Sequence, residues 1–136
     1  MMTRIILHGG YTSVWDGAGA DHALFQKLIH AAEQTDGKVL ISFLAYETPA
    51  DWPFIDQLLA TFHDLNPAIR VTIAGRDDFA ELLPQHHVLF LQGGNSRGHH
   101  QALQTFTKED LLHGKYLLAG SSSGATMLRK YGYSNS

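Results

Sequence analysis

The sequence contains no cysteine among its 136 residues. This absence excludes disulfide bonds, thiolate metal ligands and a cysteine nucleophile, so covalent catalysis would have to use another side chain. Long apolar runs are also absent near the start, where only Ile5-Ile6-Leu7 separate Arg4 from His8. A run of that length is too short for a signal sequence or a membrane span. We therefore expect a cytoplasmic protein with no membrane partner.

Charge of either sign is scarce in this sequence. Only 17% of the residues are charged, and the net charge is −3 with histidine neutral. Domains that bind nucleic acid usually carry excess positive charge, so the composition argues against a nucleic-acid partner. The neighbouring histidines His86-His87 and His99-His100 would point to different faces of a strand or helix, which predicts no metal site. We expect no cofactor, and the length indicates one domain spanning residues 1–136.

Short apolar runs alternate with helical patterns along the chain. The runs predict five strands, near residues 5–7, 39–44, 69–73, 88–91 and 116–119. Apolar spacing of three to four residues, together with end signals, predicts helices over 23–34, 53–65, 77–83, 107–113 and 123–130. Continuously apolar strands that are separated by helices indicate a parallel sheet covered on both faces. The predicted fold is therefore a three-layer α/β domain with a mainly parallel, doubly wound sheet.

Three of the predicted strands end in glycine-rich turns. These turns are His8-Gly9-Gly10, Gly93-Gly94-Asn95 and Gly120-Ser121-Ser122-Ser123-Gly124. Sites in open parallel sheets lie at the carboxyl ends of the strands. Consecutive strands are neighbours in most sheets, so the fourth and fifth strands should bring Gly93 and Gly94 close to Ser122.

The last of these turns has the pattern Gly-x-Ser-x-Gly, with Ser122 at its centre. A serine at a sharp turn from strand to helix has its hydroxyl lifted out of the sheet, and the first N–H groups of the helix point at the attacked atom. The pattern predicts Ser122 as a nucleophile. The N–H groups of Ser123 and of Gly93 or Gly94 would form the oxyanion hole. Taken alone, a turn rich in glycine and serine is often only structural.

Two motifs together resemble a known family. Leu91-Gln92-Gly93-Gly94-Asn95 and Leu118-Ala119-Gly120-Ser121-Ser122-Ser123-Gly124-Ala125 are similar to the peptidase E family of serine peptidases, which includes α-aspartyl dipeptidases and cyanophycinases. The resemblance covers nearly the whole chain and implies a fold like that of the class I glutamine amidotransferases. It further implies that Ser122 attacks an amide bond of a small aspartyl peptide. Ser123 stands where the family usually has alanine.

The general base is absent from the region where the resemblance places it. The catalytic histidine of the family lies downstream of the nucleophile, whereas no histidine follows Ser122 in this sequence. We therefore expect this chain to be the N-terminal portion of such an enzyme. Among the upstream histidines, His8 at the end of the first strand is the best placed to act as base. His99 and His100 are alternatives, since they follow the Gly-Gly-Asn turn.

Substrate contacts and assembly complete the expectations. Asn95 and Arg97 are candidates for binding a substrate carboxylate. The rival hypothesis is a non-catalytic or incomplete relative that binds a small anionic ligand or a partner chain at the same strand ends. If the sheet runs outward through its fourth and fifth strands, Tyr116–Ala119 forms the edge. We would then expect a homodimer or aggregation through that edge, with Met127 and Leu128 exposed.

Overall fold

The computed structural model describes residues 3–8, 22–121 and 123–130. In this part of the chain five strands alternate with six α-helices. The strands are β1 (Arg4–His8), β2 (Lys38–Ser42), β3 (Arg70–Ala74), β4 (Val88–Leu91) and β5 (Leu117–Ser121). The helices are α1 (His22–Glu33), α2 (Ile55–Leu65), α3 (Phe79–Leu82), α4 (Ser96–Leu103), α5 (Lys108–Leu112) and α6 (Ser123–Lys130). Short 3-10 helices occupy Pro49–Asp51 and Leu83–Gln85.

The five strands form one sheet in which every pairing is parallel. Their order is β1-β5-β4-β2-β3, so β4 and β5 are neighbours as predicted. In the β4–β5 pairing, Leu91 lies opposite Gly120, which aligns the carboxyl ends of the two strands. Helices cover both faces of the sheet. The predicted class, a three-layer α/β fold of the flavodoxin-like type, is confirmed.

Side-chain alternation along the strands divides the core into two clusters. One face of the sheet packs against α1 and α2 through Val39, Ile41, Phe90 and Ala119. The opposite face packs against α3 to α6 through Leu40, Leu89, Leu91 and Leu118. Both faces of β4 and β5 are buried, which explains why these strands appear in the sequence as continuous apolar runs. None of the helices in the described residues is long and apolar enough to cross a membrane.

Most predicted elements form, but two helical predictions need correction. β4 and α6 have the predicted bounds, and Thr107 and Asp110 form the predicted capping box of α5. α2 begins at Ile55, after Pro53 rather than around it, because Trp52 is extended, as the residue before a proline usually is. The sequence predicted no helix at α4. Gly98 lowers the helix propensity there, and the helix starts because the side chain of Asn95 caps it.

The prediction that the fifth strand is an edge strand was wrong. β5 pairs with β4 on one side and with β1 on the other, so its backbone groups are bonded to neighbours in the same chain. Met127 and Leu128, which were expected to be exposed, belong to α6 and are buried against the sheet, with 2% and 0% exposure. The error arose because local sequence does not show which strand β1 joins. A homodimer through Tyr116–Ala119 therefore loses its structural basis, and the sheet edges are β1 and β3.

Helix α6 approaches the sheet closely at two glycines. A Cβ atom on Gly124 would overlap the carbonyl oxygen of Leu91 in β4. A Cβ atom on Gly120 would lie 2.7 Å from the backbone carbonyl carbon of Gly124. Real Cβ atoms do not approach backbone this closely, so both positions require glycine for steric reasons. This contact sets the depth at which the start of α6 lies against β4 and β5.

We predict that Gly124→Ala destabilises the protein by about 1–3 kcal/mol, because the added methyl group forces α6 away from β4. Chemical denaturation followed by circular dichroism measures the change in the free energy of unfolding. Arg129→Ala on the exposed side of the same helix is the control and should change that free energy by less than about 0.5 kcal/mol. Equal stability of Gly124→Ala and Arg129→Ala would show that α6 does not depend on this contact.

Candidate functional site

The candidate site lies where the carboxyl ends of β4 and β5 meet. Gln92, Gly93 and Gly94 follow β4, while Ser121 ends β5 and Ser123 begins α6. Ser122, the predicted nucleophile, lies outside the described residues. The site is therefore defined by Ser121 and Ser123, the two serines that flank Ser122, and by the glycine turn opposite them.

Two hydrogen bonds join the glycine turn to the serine turn. The N–H of Gly93 donates to the Oγ of Ser121 over 3.4 Å, and the N–H of Gly94 donates to the Oγ of Ser123 over 2.9 Å. The structure thus brings together the two motifs that the sequence separates by 28 and 29 residues. It also gives both N–H groups, which were predicted to bind an oxyanion, a partner within the chain.

A histidine completes the hydrogen bonding of Ser123. The Nδ1 of His99 lies 3.1 Å from the Ser123 Oγ, because α4 packs against α6. The Oγ carries one proton and two lone pairs, and one lone pair accepts the N–H of Gly94. Its hydrogen bond with Nδ1 runs in the direction set by which ring nitrogen of His99 carries the proton. The His99 ring is fully buried at 0% exposure, and Nε2 has no hydrogen-bond partner within the described segments.

The surroundings of His99 keep its ring neutral. Burial in the α4–α6 contact lowers its pKa to about 4, and the positive charge of Arg76 adds to this effect in the same direction. Water is excluded, so the charged imidazolium loses its solvation. A neutral ring is required for Nδ1 to accept the hydroxyl proton of Ser123. An imidazole with so low a pKa is a weak general base, because catalytic proton transfer is most efficient near the working pH.

Gly94 is held against the loop that follows β2. Its φ of +156° belongs to a region that side chains rarely adopt, and a Cβ there would lie 2.8 Å from both the Ala45 Cβ and the Tyr46 ring. Burial raises the pKa of the Tyr46 phenol, which stays neutral at physiological pH. The position of the Gly94 N–H is therefore set from one side by this loop and from the other by Ser123.

The predicted substrate-binding residues have other contacts in the structure. The Oδ1 of Asn95 accepts hydrogen bonds from the N–H groups of Arg97 and Gly98 and so caps α4. This side-chain oxygen is thus already engaged within the protein. The side chain of Arg97 is exposed at the first turn of that helix. Whether either residue binds a ligand stays a prediction.

A second guanidinium group, which the sequence analysis did not select, lies on the same side of the molecule. The Nε of Arg76 donates to the carbonyl oxygen of Leu44 over 3.0 Å. Its outer nitrogen lies against Gly98, where a Cβ would be 2.5 Å away. Arg76 is exposed, and no carboxylate of a described residue lies within ion-pair distance of Arg76 or Arg97. Its position beside α4 follows from tertiary contacts and has no local sequence signal.

The three upstream histidines differ in their placement. His8 ends β1 and pairs in register with Ser121 of β5, so its backbone reaches the candidate site, while its side chain lies outside the described part of the structure. His100 is exposed on α4. His99 is the histidine whose ring contacts a described serine of the turn. The sequence alone does not distinguish His99 from His8 and His100 as a partner of the serine turn, because the contact depends on α4, which was not predicted.

Within residues 3–8, 22–121 and 123–130, no group of three or more histidine and carboxylate side chains is arranged to hold a metal ion. Comparison with known proteins adds no family: no protein-family model matches the chain, and no curated protein matches it. The resemblance to the peptidase E family therefore depends on the two sequence motifs alone.

We predict that acid weakens the folded state through His99. The pKa of His99 falls from 6.5 to about 4 on folding, so the unfolded chain binds the proton more readily. Stability is therefore fully present above pH 6.5 and decreases as the pH falls toward 4. The difference of about 2.5 pH units corresponds to about 3 kcal/mol.

Urea denaturation at a series of pH values between 7 and 4 measures this effect. His99→Asn should reduce the pH dependence of the unfolding free energy, whereas His100→Asn, at an exposed position of the same helix, should leave it unchanged. Burial also lowers the pKa of His86, so part of the dependence should remain in both variants. An identical pH dependence in His99→Asn and wild type would contradict the prediction.

Proposed function

We propose that this protein is a serine-type hydrolase of amide bonds that acts on small aspartyl peptides, as the peptidase E family does, with Ser122 as nucleophile. The observation that carries the proposal is the contact between the two turns. The N–H groups of Gly93 and Gly94 reach the hydroxyls of Ser121 and Ser123, the two residues that flank Ser122. A nucleophile and backbone donors at neighbouring strand ends are the requirements of acyl transfer.

In the proposed reaction, the Ser122 hydroxyl attacks the scissile carbonyl and gives its proton to the general base, while the developing oxyanion accepts backbone N–H groups. The C–N bond then breaks, the amine leaves with that proton, and water hydrolyses the acyl-enzyme. The N–H of Ser123 belongs to the first turn of α6, where the helix dipole also favours negative charge. Gly93 or Gly94 supplies the second donor. We propose His8 as the general base, because its position opposite Ser121 puts its backbone beside the serine turn. We propose that this reaction takes place in the cytoplasm and requires no cofactor.

The preference for an acidic substrate has its own support. Arg76 and Arg97 present exposed guanidinium groups near the N-terminal turn of α4, and neither is paired with a carboxylate among the described residues. Guanidinium groups bind carboxylates through paired, charge-assisted hydrogen bonds. The side chain of an aspartyl residue in the substrate is therefore the group that we expect these arginines to bind.

A second candidate function is a non-catalytic domain that binds a small anionic ligand or a partner chain. Two observations favour it. The N–H groups of Gly93 and Gly94 are already bonded to serine hydroxyls, and His99 is too weak a base for efficient proton transfer. In that case the arginines would still bind an anion, whereas Ser122 would have no catalytic role.

The hydrolase proposal predicts that the protein cleaves aspartyl dipeptides and that Ser122→Ala lowers the rate by at least about 10³-fold, as loss of a nucleophile does. Release of free amino acids is the measurement, and labelling by a fluorophosphonate followed by peptide mass spectrometry locates the reactive serine. Ser42→Ala removes a buried hydroxyl bonded to the Phe90 carbonyl and is the matched control. His8→Ala tests the base in the same assay. If the protein shows neither hydrolysis nor labelling but binds a small anion, the second candidate function would be favoured.

The arginine contacts predict a selective change in substrate binding. Arg76→Gln and Arg97→Gln should each raise KM for an aspartyl dipeptide by about 10- to 100-fold if the residue binds the substrate carboxylate, the range expected for a lost charged hydrogen bond. KM for alanyl-alanine should stay the same. Arg70→Gln, at the opposite end of β3, is the control for loss of one positive charge. If a substitution changes KM equally for both dipeptides, the replaced arginine does not recognise the aspartyl carboxylate.

A further inference from the structure

The proposed reaction leaves two buried groups of the site without a role, the Ser123 hydroxyl and the His99 imidazole. The exposed fractions of these residues are 5% and 0%. The hydroxyl lies between two partners: it accepts the Gly94 N–H over 2.9 Å and contacts the Nδ1 of His99 over 3.1 Å. A buried hydroxyl with both a donor and an acceptor in place has a defined orientation.

We propose that Ser123 and His99 form an oxyanion latch, in which the Ser123 Oγ occupies the position on the Gly94 N–H that the substrate oxyanion takes during reaction. The inference rests on the proposed function, and of the two glycine donors named there it selects the Gly94 N–H. With the latch closed, the hole is occupied by the protein's own hydroxyl.

His99 acts as a positioning residue in this latch. The hydrogen bond between its Nδ1 and the Ser123 Oγ holds the side chain of Ser123 in the rotamer whose Oγ accepts the Gly94 N–H. The contact spans 24 residues of sequence and depends on α4 packing against α6. The ring contacts the hydroxyl, and its proposed effect on the reaction passes through Ser123.

The latch opens when a stronger acceptor competes for the Gly94 N–H. A neutral substrate carbonyl offers about the same hydrogen bond as the hydroxyl, so it gains little by displacing Ser123. A developing oxyanion forms a charge-assisted bond that is roughly twice as strong. Opening needs only rotation of Ser123 about its Cα–Cβ bond, with no covalent change. The latch therefore adds an opening cost to the chemical step and little to substrate binding.

Ser123→Ala removes the competing hydroxyl and is the principal test. We expect it to raise kcat for an aspartyl dipeptide by about two- to tenfold, the factor that corresponds to one neutral hydrogen bond, with KM nearly unchanged. Ser123→Thr keeps the competing hydroxyl and should lack this increase in kcat. Ser42→Ala controls for loss of a buried hydroxyl elsewhere in the sheet. Circular dichroism and thermal unfolding confirm that each variant is folded.

A second measurement separates the latch from the proposed function. Acetate is titrated into wild type, Ser123→Ala and Ser123→Thr, and the amide shift of Gly94 is followed by NMR. We expect acetate to bind Ser123→Ala two- to tenfold more tightly than the other two proteins, whether or not any of them hydrolyses peptides. Equal acetate affinity, or a kcat that is unchanged or lower in Ser123→Ala, would overturn the latch. Loss of hydrolysis in every protein, with tighter acetate binding in Ser123→Ala, would reject the hydrolase and leave the latch as an anion-site device.

Discussion

The candidate site depends on one steric constraint, the contact between Gly124 in α6 and the carbonyl of Leu91 in β4. A side chain at Gly124 would hold the helix away from the sheet, and Gly120 permits the same close approach from β5. Because α6 begins this close to β4, the hydroxyl of Ser123 reaches the N–H of Gly94. Close packing of backbone against backbone thus determines the hydrogen-bond geometry at the strand ends.

The polar groups of the site form hydrogen bonds with one another, and all but Gly94 belong to buried residues. Buried N–H and hydroxyl groups need partners, since an unpaired one costs about 1–3 kcal/mol. Gly93, Gly94, Ser121, Ser123 and His99 meet most of this need among themselves. Among the described polar groups of this site, the His99 Nε2 is the exception. The same low polarity that strengthens these bonds lowers the pKa of His99 and keeps its ring neutral.

Two arginine side chains lie at this end of the molecule, and Arg76 lines a surface pocket together with Glu47, Asp77 and Asp78. Arg76 is anchored to the carbonyl of Leu44 and lies against Gly98, while Arg97 extends from the first turn of α4. Exposed guanidinium groups beside neutral hydrogen-bonding groups would suit an anionic ligand in either candidate function. The net charge of −3 for the whole chain gives no sign of this local arrangement. Composition did not locate these side chains, because it carries no information on position.

The sequence by itself determined the five strands, the parallel three-layer fold and the proximity of the glycine and serine turns. Each follows from local patterns, the apolar runs and glycine spacings, together with the tendency of consecutive strands to pair. Only the tertiary structure decided that β1 lies outside β5, that His99 contacts Ser123 and that Arg76 reaches α4. These depend on contacts between distant residues, and α4 in particular forms through the Asn95 cap and packing rather than apolar periodicity. Local pattern specifies which elements form, whereas packing between them specifies which side chains meet.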